Sequence, residues 1–304
     1  MKIFIIITFL LTALSSYDII TPIKTLKINK AKAKLGIDLF FDSSFSKDGK
    51  ISCASCHQPG YGWADPRKVS AGIYGRKGVI QSPTVLNAVY NFKQMWNGRF
   101  KDLYEQINGP THDSSEMGAT NEHIEKIINK EPYKSKFQKI YKKDYNTYKM
   151  FQNAIVEFEK FLTTPDSKFD LYLKGKDVLS KDEKRGYELF VKTGCIVCHN
   201  GKNVGGNNFS KIGVVNNKKM AFVRDRYSIT HKKIDIHVYK VPSLRNIALT
   251  SPYFHTGDIK DLKVAIRTMG YMNLGVDLDD KQIELIYKFL LTLTGKSPDI
   301  GSLR

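Results

Sequence analysis

A mainly α-helical protein of two related units is the fold class this sequence predicts, and three observations predict it. Apolar residues recur at helical spacing while strand patterns are sparse. A five-residue run with two cysteines and a histidine occurs twice, as CASCH from position 53 and CIVCH from position 195. The stretch leading into each copy repeats as well: Lys34 to Phe40 and Lys184 to Phe190 both carry a glycine and then Leu-Phe in the same frame. The 304 residues allow two domains with their own cores, and 41% apolar with 26% charged residues describes a globular chain, not a disordered or collagenous one.

The chain opens MKIFIIITFLLTALSS, a lysine, an apolar run from Ile3 to Leu14 and small residues from Ala13 to Ser16. Residues 1–17 have the form of a secretory signal peptide and are too short to span a bilayer. No other stretch nears the roughly 18 apolar residues of a span, so the mature chain is expected to be soluble, without a stable membrane anchor, and exported to the periplasm. Leu35, Leu39 and Phe40 then share one helical face. A longer helix follows from Thr147 to Leu162, with Met150, Phe151, Ala154, Ile155, Phe158 and Phe161 as its apolar face. Thr163-Thr164-Pro165 ends it and divides an N-terminal domain, 18–165, from a C-terminal domain, 166–304. Ser180 with Glu183 forms a capping box ahead of Tyr187, Phe190 and Val191. Residues 201 to 218, rich in Gly and Asn, read as loop. Asp258 is expected to cap a helix through Ile266, and Asp279-Asp280 to open a last helix ending at Gly295. The net charge of +18 comes from lysines scattered along the chain, with no basic recognition helix, so no nucleic-acid partner is expected.

Cys53, Cys56, Cys195 and Cys198 are all the cysteines of the chain. Two tight disulfides, or one zinc held by four thiolates, would use them. Neither needs a histidine at the same offset after each pair, whereas covalent haem does: two thiols add to the vinyl groups and the next imidazole reaches the iron. The chain is therefore read as carrying two haem c groups, with His57 and His199 as proximal ligands. Second ligands must come from His112, His123, His231, His237, His255 or the seven methionines, and composition does not choose among them.

The run SPTVLNAVYNFKQMWNGRFKDLYEQINGPTHDSSEMG (82–118), with YKVPSLRNIALTSPYFHTGDIKDL (239–262) and MGYMNLG (269–275), resembles the bacterial di-haem cytochrome c peroxidases of the CCP/MauG superfamily. The resemblance covers nearly the whole mature chain and implies two cytochrome c-like haem domains packed against each other. It implies that the haem on Cys53, Cys56 and His57 is the peroxide-reducing centre. The haem on Cys195, Cys198 and His199, with Met269 as second ligand ahead of Met220 and Met272, would be the high-potential centre where electrons arrive from a small c-type cytochrome or similar donor. Glu116 matches the family's distal acid-base residue, Gln106 its pocket neighbour, and Trp96 a tryptophan lying between the haems. Gln81, Thr250 and Pro252 fall where the family binds a calcium ion between its domains, although asparagine is usual at Gln81. Family members are commonly homodimers.

The chain departs from the family at one telling place. Many members carry a histidine in the loop after the first haem motif that ligates the resting iron until the other haem is reduced. Here the loop reads SAGIYGRKGVIQSPT, Ile73 stands at that position, and no histidine occurs between His57 and His112. The first iron is thus expected to be five-coordinate at rest, or capped weakly by Tyr74 or water. The MauG-type relatives, which oxidise a partner protein, come into view for the same reason, but they resemble this fold with tyrosine in place of the methionine at 269. A non-enzymatic di-haem electron carrier is the other alternative.

Overall fold

In the computed structural model, residues 19–216 and 221–303 are described. The signal segment 1–17 and Met220 lie outside them. Two helix pairs organise the molecule, each built from one helix that leads into a haem motif and one that crosses it. Helix α1 (Lys30–Phe41) opens on Asn29, whose side chain accepts from the Lys32 N–H. The helices α2 (Leu103–His112), α3 (Asn121–Ile128) and α4 (Tyr133–Tyr141) follow, and then α5 (Tyr148–Phe161), the long amphipathic helix expected between Thr147 and Leu162. Helix α5 packs along α1, and Phe40, Phe45, Phe151, Ile155 and Phe158 make the centre of the first core.

The second unit repeats the plan. A short α6 (Lys168–Leu173) precedes α7 (Lys181–Lys192), which starts at the expected capping box: the Glu183 N–H donates to Ser180 Oγ and the Ser180 N–H to a Glu183 carboxylate oxygen, at 3.3 and 2.6 Å. One turn of helix, α8 (Tyr227–Thr230), is followed by α9 (Leu262–Met269) and α10 (Asp280–Leu291). Helix α10 packs on α7, with Phe169, Tyr187, Phe190, Ile286 and Phe289 in the second core. The strands β1 (Phe209–Lys211) and β2 (Val238–Lys240) pair antiparallel, Phe209 opposite Lys240; β1 falls inside the segment read as loop.

The shared glycines have a steric cause. A Cβ on Gly36 would lie 2.1 Å from the Ala154 carbonyl of α5, and a Cβ on Gly186 would lie 2.1 Å from the Leu285 carbonyl of α10. Both are helix crossings that only glycine permits at this spacing. Gly186→Ala is therefore expected to destabilise the protein by about 1–3 kcal/mol, the usual range for overpacking, as a lowered thermal midpoint would show.

Two expected boundaries shift. The helix read as beginning at Asp258 begins at Leu262, because Tyr253 and Ile259 close a small bridge (Tyr253 N–H to Ile259 O, 2.6 Å); Asp261 is the cap, accepting from the Val264 N–H. Asp258 instead pairs with Lys68. The last helix opens on Asp279 as expected but stops at Leu291, not at Gly295. Gly295 is required for close approach, since a Cβ there would sit 2.4 Å from the Thr164 carbonyl.

The ends of the chain cross over. Ile20, fully buried, packs into the second core, while Leu303 packs into the first. Near Ile20, the Thr21 carbonyl accepts from Arg245 and the Ile23 N–H donates to Asp170; Arg245 and Asp170 form an ion pair at 2.8 Å with no exposed side-chain surface. Among the described residues no helix is long and apolar enough to cross a membrane.

Candidate haem and peroxide site

The first cysteine of each pair opens one turn of 3-10 helix, Cys53–Ser55 and Cys195–Val197, and the second, Cys56 or Cys198, follows it directly. The two motifs share a backbone pattern. In each, the histidine N–H donates to the carbonyl of the first cysteine, at 3.0 Å for His57 and 2.9 Å for His199. The Phe of each Leu-Phe pair then lies beside the motif histidine, with Phe40–His57 and Phe190–His199 ring centroids 6.4 and 6.5 Å apart. The repeat seen in sequence is thus a repeat of site construction.

A second repeat escaped the sequence reading. Pro83, Asn87 and Gly98 have the spacing of Pro242, Asn246 and Gly257. Asn87 and Asn246 both adopt left-handed backbone, and both donate their side-chain amide to Thr164 Oγ1, at 2.9 and 3.0 Å. Within these segments Trp96 and His255 stand at matching positions, as do Gln81 and Lys240. The units exchange hydrogen bonds through them: Gln81 N–H to His255 O at 2.9 Å, and Lys240 N–H to Trp96 O at 2.7 Å. That internal spacing was the signal available in the sequence.

Between the units opens a cavity of about 330 Å³. Cys56 and His57 line it from one side, and Cys195, Cys198 and His199 from the other. All four cysteines are free, and burial raises the thiols of Cys53, to about 12, Cys56 and Cys195. Burial holds these thiols protonated, whereas a zinc site needs thiolates. Among the described residues no cluster of three or more His, Cys, Asp or Glu could hold a metal ion. His57 is half-buried and His199 buried, each with a buried, unpartnered Nδ1, and desolvation pulls His57 down and His199 down to about 4. Neutral imidazoles beside free cysteines at an apolar cavity are the donor set that haem c takes.

The distal side of the first motif is built by α2 and the turn after it. Asp102 caps α2 through the Glu105 N–H, and Gln106, Pro110 and Glu116 all line the cavity. Glu116 is fixed by its own N–H to Asp113 O at 2.9 Å and by the Ile73 N–H, which donates to Glu116 O at 2.8 Å. Burial raises the Glu116 carboxyl, the Asp113 charge raises it further, and Arg99 and Arg224 oppose them. Gly72 crosses so closely that a Cβ there would lie 1.9 Å from Ser115 O. Ile73 is buried and lies outside the cavity lining. Tyr74, 63% exposed, turns outward over Arg76. The side chain expected as a weak cap therefore faces solvent.

On the other side, Met269 at the end of α9 lines the cavity, whereas Met272 is buried outside it. Of the five remaining histidines only His255 lines the cavity, and its Nε2 meets Ala221 O at 2.8 Å. Trp96 stands between the units. Its indole N–H donates to Gln81 O at 2.8 Å, and its ring meets those of Tyr239 and His255 edge-on, which stack on each other at 4.2 Å. Gln81, Thr250 and Pro252 line the same cavity. Two lining residues were missed in the sequence: Lys240, and Glu159 of α5, a carboxyl that burial raises to about 8.

A helical pair of units presenting two Cys-x-x-Cys-His motifs to one shared cavity, with a carboxyl on its distal wall, defines a di-haem c-type oxidoreductase. Residues 30–178 match the di-haem cytochrome c peroxidase family and residues 183–294 the cytochrome c family. The chain is 43% identical over 286 residues to the cytochrome c551 peroxidase of Nitrosomonas europaea, covering 92% of this chain and 85% of that protein. It is 39% identical to the cytochrome c551 peroxidase of Pseudomonas aeruginosa, covering 92% and 84%. A crystal structure of a MauG-like protein associated with microbial copper homeostasis superposes with a TM-score of 0.79 at 25% identity, over 94% of this chain and 95% of that one. The chain belongs to the di-haem cytochrome c peroxidase family and is an enzyme of the cytochrome-c peroxidase class.

Proposed function

We propose that this enzyme works in the periplasm and reduces hydrogen peroxide to water with two electrons from a small c-type cytochrome or similar donor. The observation that carries this is the cavity itself, where the two motif histidines, Glu116, Gln106, Trp96 and Met269 share one wall system. Bound through Cys53 and Cys56, and through Cys195 and Cys198, the two haems supply electron storage and the iron chemistry that splits the O–O bond. Peroxide would enter the first unit on the distal wall that carries Gln106 and Glu116, across from His57. Gln106 orients it, and Glu116 takes a proton from the inner oxygen and delivers it to the oxygen that leaves as water. Met269 and His199 would hold the second haem between them, and a thioether ligand would favour its reduced iron. Trp96 lies on the way between the two sites.

Several finer assignments belong to the same reading. Residues 18–165 and 166–304 form the two domains behind an exported signal, 1–17. Calcium binds at Gln81, Thr250 and Pro252, where the Gln81 main chain is already tied to Trp96 and His255 and oxygen ligands suit a hard cation. Its charge of +18 fits a donor with an acidic docking face. Met269, where the MauG-type relatives carry tyrosine, favours peroxide turnover over oxidation of a partner protein.

The test is Met269→Leu. The variant is expected to keep two covalent haems and to react with peroxide, but to lower the potential of the second haem and to lose most turnover with a reduced cytochrome. Undiminished cytochrome oxidation by this variant would remove Met269 from the pathway.

A further inference from the structure

We infer that Lys240 is the buried counter-cation of a haem carboxylate: its ammonium group pairs with a propionate of the haem held by Cys195, Cys198 and His199, on the side that faces Trp96. The inference rests on the reading of the cavity as a haem site and adds a recognition residue to it.

Lysine is almost never fully buried unless it is paired, yet Lys240 is only 7% exposed. It lines the cavity, and no charged or hydrogen-bonding group among the described residues offsets the burial of its ammonium. Burial is the only influence on it and pulls the ammonium down to about 8. Two acids share the cavity lining, and neither is placed to serve it. Glu116 is accompanied by Arg99 and Arg224, and Glu159 lies near Cys53 of the first unit. A buried ammonium at the cavity wall suits an anion from outside the chain, and haem brings two carboxylates wherever it binds.

Strand β2 aims the side chain. The Lys240 N–H is fixed to Trp96 O at 2.7 Å. Two residues on, the Pro242 carbonyl packs so tightly against Gly205 that a Cβ there would lie 2.2 Å from it and 3.4 Å from His199 Nδ1. Lys240 is thus held between Trp96 and the second motif. In the first unit the matching position is Gln81, which is uncharged, so the arrangement belongs to one haem only. A fixed cation beside a haem favours the reduced iron, which carries one positive charge less. Lys240 accordingly acts as a positioning residue that also raises the potential at which the second haem accepts an electron.

The experiment is potentiometric titration of the holoprotein, followed at each haem's own absorbance, for wild type, Lys240→Met and Lys240→Arg. Haem content is measured first. Fewer than two covalent haems in wild type would refute the haem reading itself, separately from this inference. Given two haems, Lys240→Met is expected to shift the methionine-ligated haem about tenfold toward the oxidised state, about 59 mV for a one-electron couple, leaving the other haem unmoved. Lys240→Arg restores the wild-type potential. A folded two-haem Met variant in which neither potential moves, or in which the first haem moves alone, would overturn the assignment. If Lys240→Met does not retain haem, Lys240→Gln carries the same comparison.

Discussion

Glu116→Gln lowers peroxide turnover by about 10²–10⁴-fold, the usual contribution of a positioned acid-base group, while both haem spectra and cytochrome binding stay as they are. Glutamine keeps the size of the side chain and its contacts but neither takes nor gives the proton that must pass between the two peroxide oxygens. The pH profile adds an independent mark. Burial raises the Glu116 carboxyl and Asp113 raises it further, and the working form before reaction is the carboxylate. Activity therefore falls on the acid side at a pH above the ordinary carboxylate range of about 4.3. That acid limb disappears in the glutamine variant. Turnover by Glu116→Gln within a few-fold of wild type across the profile would exclude the carboxyl from proton transfer.

The fully oxidised enzyme is expected to react with peroxide without prior reduction, and Ile73→His, once its loop turns the imidazole into the cavity, to slow that reaction. Ile73 is buried outside the cavity, its N–H engaged by Glu116 O, and Tyr74 turns to solvent. Neither side chain stands over the His57 motif, and the sequence offers no histidine between positions 57 and 112 to do so. A histidine at 73 that occupied the iron for about 99% of the time would slow the reaction of the oxidised form about 100-fold, because only the open fraction reacts. Stopped-flow mixing of both oxidised proteins with peroxide measures this directly. A resting wild-type spectrum of two low-spin haems, one of them bis-histidine, would contradict the prediction.

Much of this was legible in the sequence because the informative features are local. The haem motifs, the Ser180–Glu183 capping box and the α5 stripe each lie within a few turns of chain, and each is found where spacing placed it. What spacing could not show is pairing across distance. Asp258 looked like a helix cap until its neighbour Ile259 was found bridged to Tyr253, a contact no helical periodicity encodes. Gly295 looked like a helix end, yet its reason is the Thr164 carbonyl, far away in the chain. Lys240 and Glu159 carry no mark in the sequence, because burial of a charged side chain is a property of the assembled cavity. Met269 and Met272 were ranked by resemblance alone, and only the folded chain shows that Met269 lines the cavity while Met272 is buried outside it.

The crossed ends of the chain tie the halves in a way their separate cores do not require. A cut at residue 165 would leave the front half exposing Ile20 and holding nothing against Asp170, and the rear half stripped of the strap that seals Arg245. Burial of one such isoleucine is worth about 1.5–3 kcal/mol, a sizeable share of a marginal domain's stability. Each half thus lends the other a finishing piece, so that the two Cys-x-x-Cys-His motifs are kept facing one cavity by a clasp at both described ends, and melting is expected to proceed as one event.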